Sequence, residues 1–303
     1  MEPEYITVSP DSKTAYVTLQ ENNAIGVLDI EAGAFTRIAA LGVKEHWRAG
    51  NDLDVSDRDG PGVYPWTVWG MYQPDTIASF VAPDNRLYLV TANEGDAREW
   101  GTYVEAARVS TLRLDPANYP NAAELQSPNL LGRLNVSTAS GDIDGDGDYD
   151  FLYSFGARSI SVWSADVAQV WDSHNQLEVF TFFDRPAAFN VSHTDNIVDS
   201  RSDDKGPEPE ALAIGEVRGR NYAFVANERS SNILIYDLTV PAAPQYVGMV
   251  WNRDITAANN SIAAGDLGPE GIAFIRAQDS PNGKPLIAVA NEISGTTTVW
   301  QID

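Results

Sequence analysis

Tyr222-Ala-Phe-Val-Ala-Asn-Glu228 is a run of strand-forming residues closed by an amide and a carboxylate, and the pattern recurs. It returns as Leu87-Tyr-Leu-Val-Thr-Ala-Asn-Glu94, as Leu286-Ile-Ala-Val-Ala-Asn-Glu292 and, with Gln in place of Asn, as Thr14-Ala-Tyr-Val-Thr-Leu-Gln-Glu21. Upstream of each lies another apolar run that opens on Pro-Glu or Pro-Asp, at Glu4, Asp75, Glu210 and Glu270. Downstream a third run usually follows, as in Ala24-Ile-Gly-Val-Leu-Asp-Ile30, Asn232-Ile-Leu-Ile-Tyr-Asp237 and Thr296-Thr-Thr-Val-Trp-Gln301. Val, Ile, Tyr and Thr suit a pleated, half-buried surface, and turn clusters such as Ser9-Pro-Asp-Ser12 and Pro281-Asn-Gly283 separate the runs. A repeat of strand, turn, strand, turn, strand predicts an all-β fold: a β-propeller of four-stranded antiparallel blades arranged radially. A β-sandwich would not need the same signature four times.

The repeat divides the chain into units at 5–41, 75–137, a diverged one around Phe151 to Asp172, 209–251 and 270–303, about five blades in a single domain spanning 1–303. The last unit runs out after its third strand, and little chain precedes the first. A closed ring completes its last sheet with a strand from the other terminus, so the expectation is a propeller lacking N-terminal blades. An unpaired edge of this kind invites self-assembly. The one stretch with helical character is the modest one around Gln176 to Phe183.

Forty-three acidic residues against twenty basic ones leave a formal charge of −23, which repels phosphate backbones and argues against nucleic acid as a partner. Apolar residues make up 43% of the 303, enough for a sizeable core, but no run approaches the ~18 residues that would span a bilayer, so membrane insertion is not expected. There is no cysteine, which excludes disulfides, zinc-thiolate sites and cysteine nucleophiles; three scattered histidines leave little for a transition-metal site. Oxygen-ligated cations remain. The N-terminus lacks the basic and apolar regions of a secretory signal, while the acidic, cysteine-free composition fits an extracellular or cell-surface protein.

The most specific local motif is Asp142-Ile-Asp144-Gly-Asp146-Gly147-Asp148-Tyr-Asp150. Carboxylates at positions one, three, five and nine with glycine at six can converge oxygens on Ca²⁺, because the glycine permits the sharp turn. Position twelve is Tyr153 rather than a bidentate Glu, and Phe151 to Phe155 reads as strand, so the loop is similar to the calcium hairpins of integrin-type propellers rather than a helix–loop–helix sensor. By loop position Asp148 would contribute its backbone carbonyl and Asp142, Asp144, Asp146 and Asp150 their side chains. The competing reading is an acidic solvated turn, in which five close carboxylates repel without a cation. A weaker second candidate is the irregular run Asp52, Asp54, Asp57 and Asp59, interrupted by Arg58.

Under rotation, the carboxylates that open the first strands (Glu4, Asp75, Glu210, Glu270) and those that close the second (Glu21, Glu94, Glu228, Glu292) would each form a ring around the propeller axis or on one rim. Such rings could hold a cation or cationic ligand; the blander alternative, favoured by the repetition, is that each hydrogen-bonds the backbone of the neighbouring blade. Two loops break the repeat and mix charges: Asn93 to Trp100, with Glu94, Asp96 and Arg98, and Asp199 to Glu210, with Arg201, Lys205, Glu208 and Glu210. That make-up suits a metal-bridged phosphate or carboxylate as well as it suits a salt-bridged rim. No nucleophile elbow, serine triad or glycine-rich phosphate loop is present, and His193 is a lone loop histidine.

The stretches Ser9 to Ala24, Gly70-Met-Tyr-Gln-Pro-Asp75, Thr91 to Trp100, Asp199 to Glu210 and Ser280 to Pro285 resemble the bacterial choice-of-anchor I domain, also described as mesenchyme-specific cell-surface glycoprotein-like, across nearly the whole chain. The resemblance implies a seven-bladed propeller, export, and a C-terminal sorting anchor not found in these residues; an alkaline-phosphatase label on some relatives implies a hydrolytic alternative without a defined catalytic set. Together these readings point to a secreted or surface-attached, calcium-binding propeller acting as a binding or structural module for an extracellular protein, glycan or phosphoester ligand. One alternative is a calcium-dependent phosphatase or phosphodiesterase in which Glu94, Asp96, Glu208 and Glu210 hold metal while Arg98 and Arg201 orient phosphate. Another is a subunit of an extracellular filament or layer whose unfinished last sheet accepts a neighbour's strand.

Overall fold

A computed structural model describes residues 2–303. Three sheets are four-stranded antiparallel meanders in which each strand pairs with the next. Blade I comprises Pro3–Val8, Thr14–Leu19, Ala24–Asp29 and Ala34–Ala40. Blade III comprises Pro209–Val217, Arg220–Asn227, Asn232–Asp237 and Gln245–Val250. Blade IV has three strands, Pro269–Ile275, Leu286–Asn291 and Thr296–Gln301. The first strands of successive blades touch, Thr7 and Ser79 sharing a hydroxyl hydrogen bond of 2.9 Å, so the blades fan around a common axis as the repeat predicts.

Blade II departs from the expected unit boundaries. Its first two strands, Ile77–Val81 and Leu87–Asn93, are continued by Ser159–Ser164 and Gln169–Asp172, with Asn93 opposite Ser159 and Tyr88 opposite Ser164. The units read at 75–137 and around Phe151 to Asp172 are therefore one blade, split by residues 94–158. The inserted chain builds a separate mixed sheet from Ala106–Arg108, Asn135–Ser137 and Tyr153–Ser154, joined by Trp69–Met71 and Val43–Glu45 from the connection after blade I. It has its own core of Leu53, Val68, Leu114, Leu131, Leu134 and Leu152. The radial array is thus four blades plus an inserted sheet. The helix expected near Gln176 is present as Gln176–Asp184. Among the described residues no helix is long and apolar enough to cross a membrane.

Strand alternation sends one set of side chains to each face of a blade. Tyr16, Ile25 and Ala39 of blade I pack on Ile77, Leu89 and Trp163 of blade II. The other face of blade II, with Phe80, Val90 and Val162, packs on Leu212, Val225 and Tyr236 of blade III, and Phe224 and Ala226 on the far face of III meet Ile287 and Val289 of blade IV. Each fully buried Val or Leu in these seams contributes about 1.5–3 kcal/mol. Among the described residues, two faces have no blade against them. On blade I, Ile6, Val8, Phe35 and Ile38 are 43–53% exposed beside Val17 and Leu28, and on blade IV Ala273, Ala290 and Val299 are exposed.

Candidate functional site

The Asn-Glu signature divides its labour between two residues. The second strands of blades II, III and IV end on an asparagine turned into its own blade: Asn93 donates to the hydroxyls of Ser159 (3.1 Å) and Ser161 (2.8 Å), Asn227 to the amide oxygen of Asn232 (2.9 Å), and Asn291 to Thr296 (3.2 Å) and Thr298 (3.3 Å). These amides clamp the second strand to the third. Strand alternation then turns the following glutamate the other way, toward the axis.

There the carboxylates meet one another. Oxygens of Asp75, Glu94 and Glu210 lie within 4.8 Å of one another, as do oxygens of Glu94, Glu208 and Glu228. The expected latch onto neighbouring backbone is not what the glutamate side chains make. Glu94 accepts from the Gln20 amide (2.8 Å) and Lys205 (2.5 Å), and Glu228 lies 3.0 Å from Nδ1 of His193 and 3.1 Å from Arg229. Glu208 carries three cations, Arg201 at 2.5 Å, Arg229 at 3.0 Å and Lys205 at 3.1 Å. Backbone crossing fixes the entry of Glu94: Gly95 (φ +93) and Gly156 (φ +71) approach so closely that a Cβ on Gly156 would sit 1.9 Å from the Glu94 carbonyl oxygen. Only glycine fits such a crossing.

The electrostatics follow from burial and crowding. Burial, then Glu94 and Asp75, pushes the half-buried Glu210 up to about 12, and burial, opposed by Lys205 and aided by Glu208, pushes Glu94 up to about 8. Burial would raise Glu208 as well, but Lys205, Arg201 and Arg229 hold it well below the usual carboxylate range. Glu270 is raised by burial, then by Glu292 and Glu228; Glu4 by burial, then by Asp75. The two inferred rings thus feel each other across all four blades. Of the residues picked from sequence, Glu94, Glu208, Glu210 and Glu228 converge, and Glu270 and Glu292 flank them on blade IV. Asp96 and Arg98 turn away: Asp96 caps the Ala97 N–H (2.8 Å), and Arg98 pairs with Glu105 (3.3 Å) and donates to the Glu21 carbonyl (2.5 Å). Arg201 is committed to Glu208 and Asp204 (2.6 Å). The sequence reading left Arg229 out, although it follows the Asn-Glu signature directly.

The acidic hairpin lies on the inserted sheet, not on a radial blade, joining Asn135–Ser137 to Tyr153–Ser154. Oxygens of Asp142, Asp144 and Asp146 lie within 4.8 Å of one another. Asp142 accepts from the N–H groups of Gly145 (2.7 Å) and Gly147 (3.0 Å), and Asp150 from that of Ile143 (2.9 Å). Gly145 and Gly147 adopt φ of +78° and +90°, the conformation that closes the turn. Asp148 is turned onto Arg113 at 3.1 Å, which leaves its carbonyl as the group it can offer to a cation. This all-oxygen, tightly turned donor set fits Ca²⁺ chemistry.

The run Asp52, Asp54, Asp57 and Asp59 does not share a centre. Asp52 accepts from Asn175 (3.3 Å), Asp57 pairs with Arg133 (2.8 Å), and Asp54 is buried, accepting from the N–H of Gly62 (2.7 Å). These interactions pull the four apart, and among the described residues they form no common ligand cluster. Nearby, buried Arg158 donates to Glu178 (2.8 Å) and to the carbonyls of Asp54, Ser202 and Asp204, pinning the 199–210 loop beneath the axis.

A family model described as the choice-of-anchor I domain matches residues 1–241. Gigasin-3a of Magallana gigas is 32% identical over 191 residues, covering 59% of this chain and 66% of that protein. The mesenchyme-specific cell surface glycoprotein of Strongylocentrotus purpuratus is 29% identical over 301 residues, covering 86% of this chain and 38% of that protein. The chain therefore spans less than two thirds of the length of either relative. Among solved structures, a periplasmic gluconolactonase of Pseudomonas aeruginosa aligns over 100% of this chain and 66% of its own at 16% identity, with a TM-score of 0.36.

Proposed function

Because the chain belongs to the choice-of-anchor I domain family, we propose that it is an extracellular, surface-associated propeller whose inserted hairpin is fixed by Ca²⁺ and which binds or scaffolds rather than catalyses. The observation that carries the calcium reading is the convergence of Asp142, Asp144 and Asp146 within 4.8 Å around a two-glycine turn. Bound there, Ca²⁺ would offset the mutual repulsion of the aspartates and stabilise the native state by linkage, about 2.7 kcal/mol at a hundredfold excess over Kd. The name of the sea urchin relative places that protein at a cell surface, which supports the location proposed here. Calorimetric titration and thermal melts with EDTA or millimolar Ca²⁺ test the reading. Heat of binding and a Tm that climbs with Ca²⁺, both lost in Asp144→Asn/Asp146→Asn, are expected; no heat and a flat Tm would overturn it.

A second reading, a metal-dependent phosphoester hydrolase, draws on one observation: the two charged loops meet where Lys205 contacts Glu94 and the Gly95 carbonyl oxygen (2.7 Å) beside the Asp75, Glu94 and Glu210 cluster. Against it, Arg98 and Arg201 are both engaged with carboxylates and not free to orient a phosphate. Turnover of a generic aryl phosphate with Ca²⁺, abolished by Glu210→Gln, would favour the enzyme.

A further inference from the structure

The connection that leaves blade III after Val250 and the turn that follows the helix Gln176–Asp184 enclose a cavity of about 520 Å³. Asp184 and Arg185 line it from the turn, and Trp251, Arg253, Asp254 and Ile255 from the connection. Both segments are internal, one running between blades II and III and the other between III and IV, so the cavity is walled within the array. A space of this size holds a small organic ligand.

The cavity collects two arginines that the fold does not neutralise. Most arginines of this acidic chain are salt-bridged, as Arg133 is to Asp57 and Asp203 and Arg158 to Glu178; among the described residues Arg185 and Arg253 are not. Arg253 is only 6% exposed, yet the acceptors that hold it are uncharged. Its Nη1 donates to the Arg229 carbonyl (2.7 Å), and its Nη2 to the carbonyls of Ser192 (2.6 Å) and Asp195 (3.0 Å) and to the amide oxygen of Asn196 (3.1 Å). The Nε–H is buried without an acceptor. Burial lowers the pKa of Arg253 to about 10, opposed by the Asp195 carboxylate, which itself accepts from the Ile197 N–H (2.9 Å) and the Ser200 hydroxyl (3.1 Å). A buried donor left unpaired is destabilising, and an acceptor brought by a ligand removes that penalty.

Arg185 is exposed, with its guanidinium carbon 3.6 Å from the centre of the Trp251 ring. An indole face attracts the cation but takes none of its N–H donors, so it orients the charge without cancelling it. The same walls carry two carboxylates that already accept hydrogen bonds: Asp184 from the Tyr246 hydroxyl (2.9 Å), and Asp254 from the N–H (2.9 Å) and hydroxyl (2.6 Å) of Thr256. Their remaining lone pairs suit hydroxyl donors, while their charge disfavours a doubly charged phosphate. Two unpaired guanidinium groups beside two such acceptors match a ligand that carries one carboxylate and several hydroxyls.

We propose that this cavity binds an acidic sugar, its carboxylate on Arg253 and Arg185 and its hydroxyls on Asp184 and Asp254. The site shares no residue with the aspartate hairpin or the axial carboxylates, so it stands or falls apart from the calcium reading.

Calorimetric titration of the whole chain with digalacturonic acid, in EDTA, tests the assignment, with lactose as the neutral disaccharide and inorganic sulfate as a bare anion. Saturable binding of digalacturonic acid is expected, at least tenfold tighter than either lactose or sulfate. Arg185→Ala, an exposed change, should weaken it at least tenfold with Tm unchanged. Arg253→Lys keeps the charge but lacks the Nε–H and should weaken it similarly; if that variant does not fold, Arg185→Ala decides. No heat with millimolar digalacturonic acid, an affinity no better than that for lactose or sulfate, or an unaltered affinity in Arg185→Ala would overturn the proposal.

Discussion

The adjacent residues of the Asn-Glu signature do opposite jobs, and the asparagine is the one that holds a blade together. Asn93 is fully buried, accepts from the Thr91 hydroxyl (2.8 Å) and donates to Ser159 and Ser161, so Asn93→Ala removes three buried hydrogen bonds, leaving Ser159 and Ser161 only their bonds to Asp172 and Thr91 its bond from Trp163. Urea denaturation of that variant should show a loss of about 1–3 kcal/mol. A carboxylate ring near the axis was legible in the sequence, because repetition of Glu at fixed strand positions implies it. Its salt-bridged interior was legible only in part: the mixed charge of the Lys205 loop suits a salt-bridged rim and Arg229 directly follows the signature, but which groups pair depends on loop paths that no repeat dictates. Buried carboxyls also set the pH response. Burial, then the neighbouring Asp199, pushes Asp54 up to about 9 from an ordinary 3.8, and Glu94 reaches about 8 from 4.5. A carboxyl with a raised folded pKa keeps a proton that the unfolded chain releases, so stability present below the ordinary value drains away as pH rises toward the folded one. Tm should therefore fall between about pH 5 and 9, and Asp54→Asn, which imitates the neutral carboxyl, should make that decline shallower.

Among the elements, the acidic hairpin was recognisable from spacing alone, and so was its attachment to a strand beginning near Phe151. Its place in the fold was not, since no local pattern says that Leu87–Asn93 pairs with Ser159–Ser164 across the whole of 94–158. Contiguous strands suggest contiguous blades, and a long insertion defeats that rule. The hairpin's geometry separates the roles of its aspartates. In the proposed calcium site, with its carboxylate on Arg113, Asp148→Asn should change calcium affinity little, whereas Asp146→Asn should weaken it at least tenfold, both read by calorimetric titration.

At the largest scale, the four blades form an arc whose two end faces are apolar and, among the described residues, uncovered. Ile6, Phe35 and Ile38 present bulky side chains at one end, and Ala273, Ala290 and Val299 smaller ones at the other. The arc should bind the dye ANS in the native state, and Ile6→Lys/Ile38→Lys should reduce that fluorescence while leaving Tm within a few degrees.

The split of blade II also imposes an order of events on a chain leaving the ribosome. Leu87–Asn93 emerges early yet waits for Ser159–Ser164, while the inserted sheet and its aspartate loop can be completed in the interval. Closing so long a loop costs only slowly growing entropy, but it delays pairing, so a nascent chain halted near residue 158, after Tyr153–Ser154, would display one bare strand edge beside a finished insert.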